Sequence, residues 1–154
     1  MNSFDVNITK VRENAIIPTK ATSGSAGFDL HACIDKDLTI KKGDLIRVPC
    51  GIAIELPSSK YAAFIFARSG LGMKYGISLS NGVGVIDSDY RGEIQVGLCR
   101  TSDGDPYTIK NGDRIAQIII MQLRIMQMSN VNFKLVENLG ESERGSGGFG
   151  STGR

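Results

Sequence analysis

The chain has 154 residues, 41% of them hydrophobic and 22% charged, with 18 basic against 16 acidic side chains and a formal charge of +2. That is enough for one domain with a real core, too little for two comfortable ones, and inconsistent with wholesale disorder. So small a charge, with lysines and arginines scattered among acids, gives no footing for nucleic acid. Three cysteines (Cys33, Cys50, Cys99), one histidine and no C-x-x-C argue against a disulfide framework or a structural zinc site and fit a reducing compartment. Met1-Asn2-Ser3-Phe4-Asp5 carries no basic region followed by an apolar run, so no signal peptide is expected. No apolar stretch approaches the roughly 18 residues that span a bilayer. The expectation is a soluble protein of the cytoplasm, or of the nucleus in a eukaryote, that is not secreted and has no membrane partner.

In chain order, Phe4-Asp5-Val6-Asn7-Ile8-Thr9 alternates apolar and polar residues, the period of a half-buried strand. Ser23-Gly24-Ser25-Ala26-Gly27 is a loop leading into Phe28-Asp29-Leu30-His31-Ala32. Leu38 and Ile40 alternate before the turn Lys42-Gly43-Asp44, and Leu45 to Val48 and Ile52 to Leu56 read as strands. The apolar run from Tyr61 to Ala67 suits a strand buried on both faces. Ser69-Gly70-Leu71-Gly72-Met73-Lys74-Tyr75 allows one or two helical turns with Ser69 as N-cap. Asn81-Gly82, flanked by β-branched residues, is a strong hairpin signal and predicts strand, tight turn, strand through Val85-Ile86. Ile94-Gln95-Val96-Gly97-Leu98 alternates cleanly. Ser102 to Pro106 and Lys110 to Asp113 read as turns, and Ile115 to Met121 as a final strand in which Gln117 is the polar exception. Short strands at regular spacing predict an all-β sandwich or barrel of jelly-roll type.

From Gly140 to Arg154 the composition shifts to glycine and serine, with two arginines and a solitary Phe149. The expected division is a jelly-roll domain over 1–139 and a mobile arm over 140–154. Such an arm is either an inert tail or a lid that uses arginine for anions and phenylalanine for a flat ligand.

Several constellations suit chemistry, each with a plainer reading beside it. In Asn81 to Glu93, two glycines bring bare backbone close to a flat ligand, and Asp87 follows a rigid strand, with Asp89, Tyr90 and Arg91 after it. The plainer reading is a surface hairpin with a solvated tip. Ala67-Arg68-Ser69-Gly70 offers a guanidinium, a hydroxyl and N–H groups to a phosphate, or only a cap and a surface ion pair. Asp29 can approach Mg²⁺ directly or through water, or make an Asx-turn. Gln117 can reach a phosphate oxygen or satisfy buried backbone. One histidine, no nucleophile elbow and no P-loop motif leave little room for a triad, a zinc hydrolase or a Walker site.

In order, the segments S-A-G-F-D-L, A-R-S-G-L-G, N-G-V-G-V-I-D-S-D-Y-R-G, G-D-R-I-A-Q and R-G-S-G-G-F-G-S-T-G closely resemble the five motifs of the trimeric all-β deoxyuridine triphosphatase (dUTPase) family, from about Ser25 to Gly153. The third and fifth are the specific ones. The resemblance implies a homotrimer of distorted jelly-roll (β-clip-like) subunits with sites shared between subunits. It also implies hydrolysis of dUTP to dUMP and pyrophosphate with Mg²⁺, which keeps uracil out of DNA and supplies dUMP for thymidylate synthesis. By the same resemblance, Asp87 matches the base that activates the attacking water and Tyr90 the aromatic under the deoxyribose. Asn81 and the backbone through Gly84, Val85, Ile86 and Asp87 match the uracil-reading hairpin, with Gln95 a further contact. Arg68, Ser69, Gly70 and Gln117 match phosphate contacts. Asp29 falls near the metal, indirectly through water, with Mg²⁺ held mainly by the triphosphate. Arg144 matches a γ-phosphate clamp, and Phe149 with Gly150 a lid over the base.

Three other readings compete. A dCTP deaminase or bifunctional relative would need an amino group protonated and displaced, for which V-I-D-S-D-Y is ill suited. A nucleotide-responsive regulatory module would use an arm that orders on binding. A purely structural jelly-roll oligomer would need none of these polar positions.

Overall fold

The computed structural model describes residues 4–123, 133–138 and 140–141. Among them run β1 (Asn7–Lys10), β2 (Phe28–His31), β3 (Leu38–Ile40), β4 (Leu45–Pro49), β5 (Ile52–Glu55), β6 (Tyr61–Phe66), α1 (Ser69–Tyr75), β7 (Ile77–Leu79), β8 (Gly84–Ile86), β9 (Gln95–Arg100), β10 (Tyr107–Ile109) and β11 (Arg114–Gln122). The strands form four antiparallel groups, β2-β11-β6-β8, β4-β9-β7, β1-β5 and β10-β3, the crossed-over pairing of a distorted jelly roll. Sequential strands seldom pair with each other, so most contacts join distant parts of the chain.

Alternation places the core. In β9 the pattern puts Val96, Leu98 and Arg100 inward, and they meet Ile40, Val48, Ile52, Ile77, Ile94 and Ile109 in one continuous apolar cluster. Full burial of each such aliphatic side chain contributes about 1.5–3 kcal/mol. Arg100 is the exception inside. Its guanidinium donates to the carbonyls of Ile40 (3.2 Å) and Asp105 (2.6 Å), tying the loop before β10 back to β3. The turns at Lys42–Gly43 and Asn111–Gly112 each close with an aspartate accepting a backbone N–H, Asp44 from Lys41 and Asp113 from Lys110, both at 2.8 Å.

Three local expectations are corrected. Strands β7 and β8 flank the Asn81-Gly82 turn but do not pair with each other; β7 pairs with β9 and β8 with β6. The turn is therefore a corner between two sheets, because each strand gains a longer or better buried partner elsewhere. Strand β1 is exposed at all four positions rather than half-buried. Its partner β5 carries the buried face, and Ile8 instead lines an open apolar groove with Ile17, Phe28, Ile54, Ile118 and Ile120. Ser69 is not the cap of α1. Arg68 occupies the N-cap position in extended conformation (φ −94°, ψ 128°) with no side-chain cap, since it still continues the line of β6.

The corner at Gly51, between β4 and β5, is held from several sides. Its φ of +70° is left-handed, and a β-carbon there would lie 2.7 Å from Cys33 Sγ and 2.8 Å from Ala15 Cβ. Gly51→Ala is therefore expected to cost roughly 2–4 kcal/mol of stability, from backbone strain plus overpacking, as measured by urea unfolding.

Candidate active site

Among the described residues strand β8 is the outer strand of its sheet, paired on one side through Gly84↔Ile65, Val85↔Phe64 and Ile86↔Ala63. Gly84 permits that approach, since a β-carbon there would stand 3.1 Å from Ile65 Cβ. A strand paired on one side leaves the N–H and C=O groups of its other edge free. That edge borders a cleft of about 460 Å³, lined by Asn81, Gly84, Val85, Ile86, Asp87 and Tyr90, by Gln95 and Gly97 of β9, and by Arg47, Ile65, Glu93 and Ile94. Strand β7 pairs with β9 only from Leu98 to Arg100, and Ser80 adds one bond, N–H to Gly97 O at 2.9 Å. The nearer end of β9 thus stays open to the same cleft.

Asp87 is the first residue after β8 and is exposed. Its carbonyl accepts the N–H of Tyr90 at 3.2 Å, closing a tight turn. The Tyr90 hydroxyl donates to the Glu93 carbonyl at 3.1 Å, which lays the ring across Gly92. A β-carbon on Gly92 would come within 2.6 Å of Tyr90 Cζ, so the platform requires glycine beneath it. Of the residues expected to read the base, Asn81, Gly84, Val85, Ile86, Asp87 and Gln95 line one cleft, and Gly82 and Val83 do not.

A second cavity, of about 260 Å³, gathers Ser25, Gly27, Asp29, Arg68, Ser69, Gly70 and Gln117. Register explains the gathering. On β11, Gln117 stands opposite Asp29 of β2 on one side and Phe66 of β6 on the other, and Arg68 follows two residues after Phe66. The β2–β11 ladder also slips between Arg114 and Ala116, a bulge that re-aims Arg114. The Asp29 carboxylate is then held between two cations, Arg68 Nε at 3.1 Å from Oδ1 and Arg114 Nη1 at 3.4 Å from Oδ2. Arg68 also donates to the Arg114 carbonyl at 3.1 Å. Two guanidiniums around one carboxylate leave a net positive cluster; Arg68 and Asp29 line the cavity, and Arg114 stands beside it. Ser69 spends no hydroxyl on capping, so the group stays free to donate. Gln117 donates to the Ala67 carbonyl at 3.0 Å, satisfying backbone while keeping its second N–H.

The two cavities share no lining residue. Arg144, Phe149 and Gly150 lie outside the described residues. Cysteine nucleophiles find no support, since burial pushes the Cys50 thiol up to about 12 and also raises that of Cys33. Burial likewise lowers the His31 pKa, and its Nδ1 is buried without a partner, which suits a structural residue.

Residues 13–153 match the profile of the dUTPase family. The chain belongs to that family. The deoxyuridine 5'-triphosphate nucleotidohydrolase of Desulfitobacterium hafniense (strain DSM 10664 / DCB-2) is 50% identical over 99% of both chains. That of Bordetella avium (strain 197N) is 46% identical over 100% of this chain and 99% of the relative. Among solved structures, a mutant Staphylococcus bacteriophage 80alpha dUTPase with dUpNHpp superposes with a TM-score of 0.76 at 20% identity, over 99% of this chain and 100% of that one. A mutant dUTPase from phage phi11 of S. aureus, described for its coordination of a structural Mg(II) ion, gives 0.71 at 19% identity, over 88% and 98%. At such identities the structural likeness shows a shared fold.

At or beside these two cavities stand Arg114, Glu93, Ile65 and Arg47, to which sequence reading gave no role. Arg114 lies inside the segment G-D-R-I-A-Q and Glu93 ends the stretch that begins at Asn81, and that membership was the available signal. Ile65 and Arg47 carried none, because only strand pairing brings them to the cleft. Glu93 sits below the usual carboxylate range, chiefly because Arg12 donates to it, against some opposing burial. A depressed carboxyl adds stability above its unfolded pKa and loses it as pH falls through the folded value. The gap in thermal midpoint between wild type and Glu93→Gln should be full at neutral pH and close as the pH falls below the ordinary glutamate range.

Proposed function

We propose that this protein hydrolyses dUTP to dUMP and pyrophosphate, with uracil on the open edge of β8 and the triphosphate at an arginine cavity like that around Asp29. The observation that carries the reading is a strand with one free edge that ends directly in an exposed carboxylate, Asp87, on a chain of this family. Free backbone donors and acceptors in fixed order can match uracil, whereas cytosine would face a donor with its amino group, at a cost of about 1–3 kcal/mol. Ile65, Ile86 and Ile94 wall the cleft and would oppose a 5-methyl group. Tyr90 under the sugar would leave no space for a 2′-hydroxyl.

In the reaction, Asp87 orients a water and takes its proton as the water oxygen bonds to the α-phosphorus. The bridging bond to the β-phosphate breaks and pyrophosphate leaves. Arg68, Ser69, Gly70 and Gln117 hold phosphate oxygens, so positioning and charge stabilisation do most of the work. Mg²⁺ is the implied cofactor. Both Asp29 oxygens already face guanidiniums, and the described residues hold no cluster of three metal-ligating side chains. The chain thus fits an ion carried by the triphosphate and approached by Asp29 through water. Bound so, it would neutralise phosphate charge.

A homotrimer follows from the same reading. The base cleft and phosphate cavity of one chain share no lining residue, which supports a site completed by a neighbour. An apolar groove of about 610 Å³ beside β1 and the exposed Phe133 and Leu135 supply surface for such contacts. The 140–154 arm is read as a lid, with Arg144 on the γ-phosphate and Phe149 and Gly150 over the base. The family match extends to residue 153, which supports a functional arm over an inert tail.

Pyrophosphate release should be fast with dUTP and slow with dTTP, dCTP and UTP, and should need Mg²⁺; equal rates on dCTP or UTP would overturn the assignment. Asp87→Asn is expected to bind an unreactive dUTP analogue normally while turnover falls roughly a hundredfold to ten-thousandfold. Truncation after Gly140 should leave the oligomer intact on gel filtration and collapse catalysis; unchanged rates would restore the inert tail.

A further inference from the structure

We propose that Arg12, which lies just ahead of the segment matched by the family profile, is a positioning residue for the sugar platform and acts through Glu93 on Tyr90. The proposal rests on dUTP occupying the β8 cleft as read above. Arg12 and Glu93 stand 81 residues apart in sequence and meet in a two-pronged ion pair, Nε to Oε1 at 2.6 Å and Nη2 to Oε2 at 3.2 Å. The same Oε1 accepts the Gly51 N–H at 3.0 Å. The Gly51 carbonyl in turn accepts the N–H groups of Val11 (2.8 Å) and Arg12 (3.3 Å). A closed ring of bonds therefore joins the N-terminal segment, the Gly51 corner and Glu93. The corner itself has no slack, because Cys33 and Ala15 crowd it.

On its other side Glu93 reaches the platform, since its carbonyl holds the Tyr90 hydroxyl. The next residue, Ile94, is pinned by backbone bonds to Ile52 (2.8 Å) and Cys50 (2.9 Å). The Ile94 N–H shares a peptide plane with the Glu93 carbonyl, so the pin sets the plane of the Tyr90 acceptor and leaves the Cα of Glu93 and the 88–92 turn to the side-chain contacts. Among the described residues the turn's side chains are also tied to the body by the Gly51 N–H and Gln95 on the Glu93 carboxylate, and by Arg91 to Glu55 at 3.1 Å, a pair half-exposed at both ends that holds weakly. A two-pronged guanidinium–carboxylate pair fixes orientation as well as distance. It therefore decides where the Tyr90 ring lies. Asp87, by contrast, directly follows Ile86, whose pairing with Ala63 anchors the end of β8. Loss of Arg12 should loosen substrate fit and sugar choice while sparing the chemical step.

The test measures kcat and KM for dUTP and for UTP, with thermal midpoints, on wild type, Arg12→Met, Arg12→Lys, Glu93→Gln and the Arg12→Met/Glu93→Gln double variant. Arg12→Met is expected to raise KM for dUTP about tenfold, to narrow the dUTP-over-UTP ratio of kcat/KM by about tenfold, and to change kcat less than about threefold. Arg12→Lys should recover part of both, keeping charge without the planar fork. The double variant should be no worse than Arg12→Met, because both changes cut one link. A lowered midpoint with wild-type KM and wild-type sugar ratio would reduce the pair to a structural role and overturn the proposal. Should Arg12→Met not fold, wild-type KM and ratio in both Arg12→Lys and Glu93→Gln would do the same. Wild-type protein inactive on dUTP would overturn the reading of the cleft, and the proposal with it; an active wild type with an indifferent Arg12→Met sinks the proposal alone.

Discussion

The parting of β7 and β8 at Asn81-Gly82-Val83 is the constraint on which the cleft beside β8 depends. The corner is made by Gly82 at φ +72°, with its N–H on the Leu79 carbonyl (3.3 Å) and the Val83 N–H on the Asn81 carbonyl (2.8 Å). Within these few residues the chain leaves the β4-β9-β7 sheet and enters β2-β11-β6-β8. Had the two strands paired, each would have satisfied the other's backbone and no edge would face the cleft. Because they separate, β8 keeps one side unpaired. A free strand edge is ordinarily an aggregation hazard. Here it borders a cleft with Asp87 at one end and the Tyr90 platform beyond it.

The cavity at Asp29 depends on a different device. Arg68 and Arg114 would repel each other if left alone, and Asp29 between them makes their approach favourable. The carboxylate is mostly sheltered, with 15% of its side chain exposed, so solvent screens it less than it would a surface pair. One acid aligns two cations and leaves positive charge over for a ligand. The bulge in β11 is what turns Arg114 toward that acid; an unbroken ladder would have presented Ile115 opposite His31 instead.

These two devices sit in separate cavities of one chain. The intervening strand β6 links them, since Ile65 floors the base cleft and Arg68, three residues on, lines the phosphate cavity. Their separation gives the assembly in the proposed function its physical reason.

Much of this was legible in the residues themselves. Turn chemistry at Lys42–Asp44 and Lys110–Asp113 is local, set by glycine φ and an aspartate reaching back three residues, and it appears as read. Alternation in β9 likewise reports a buried face directly. The ordered run of motif segments was enough to indicate the family, because it records residue types at sites of chemistry rather than their surroundings. What the sequence could not settle were choices between partners. Asn81-Gly82 specifies a tight turn, but whether its flanking strands pair is decided by competition from β6 and β9, which are remote in the chain. The period of β1 announces an apolar face without saying what covers it. The Arg12–Glu93 pair joins two ordinary charges that become specific only when Gly51 brings them together. Local sequence determines backbone dihedrals and side-chain periodicity, whereas pairing between distant strands minimises the free energy of the whole chain, and only the tertiary structure reports its outcome.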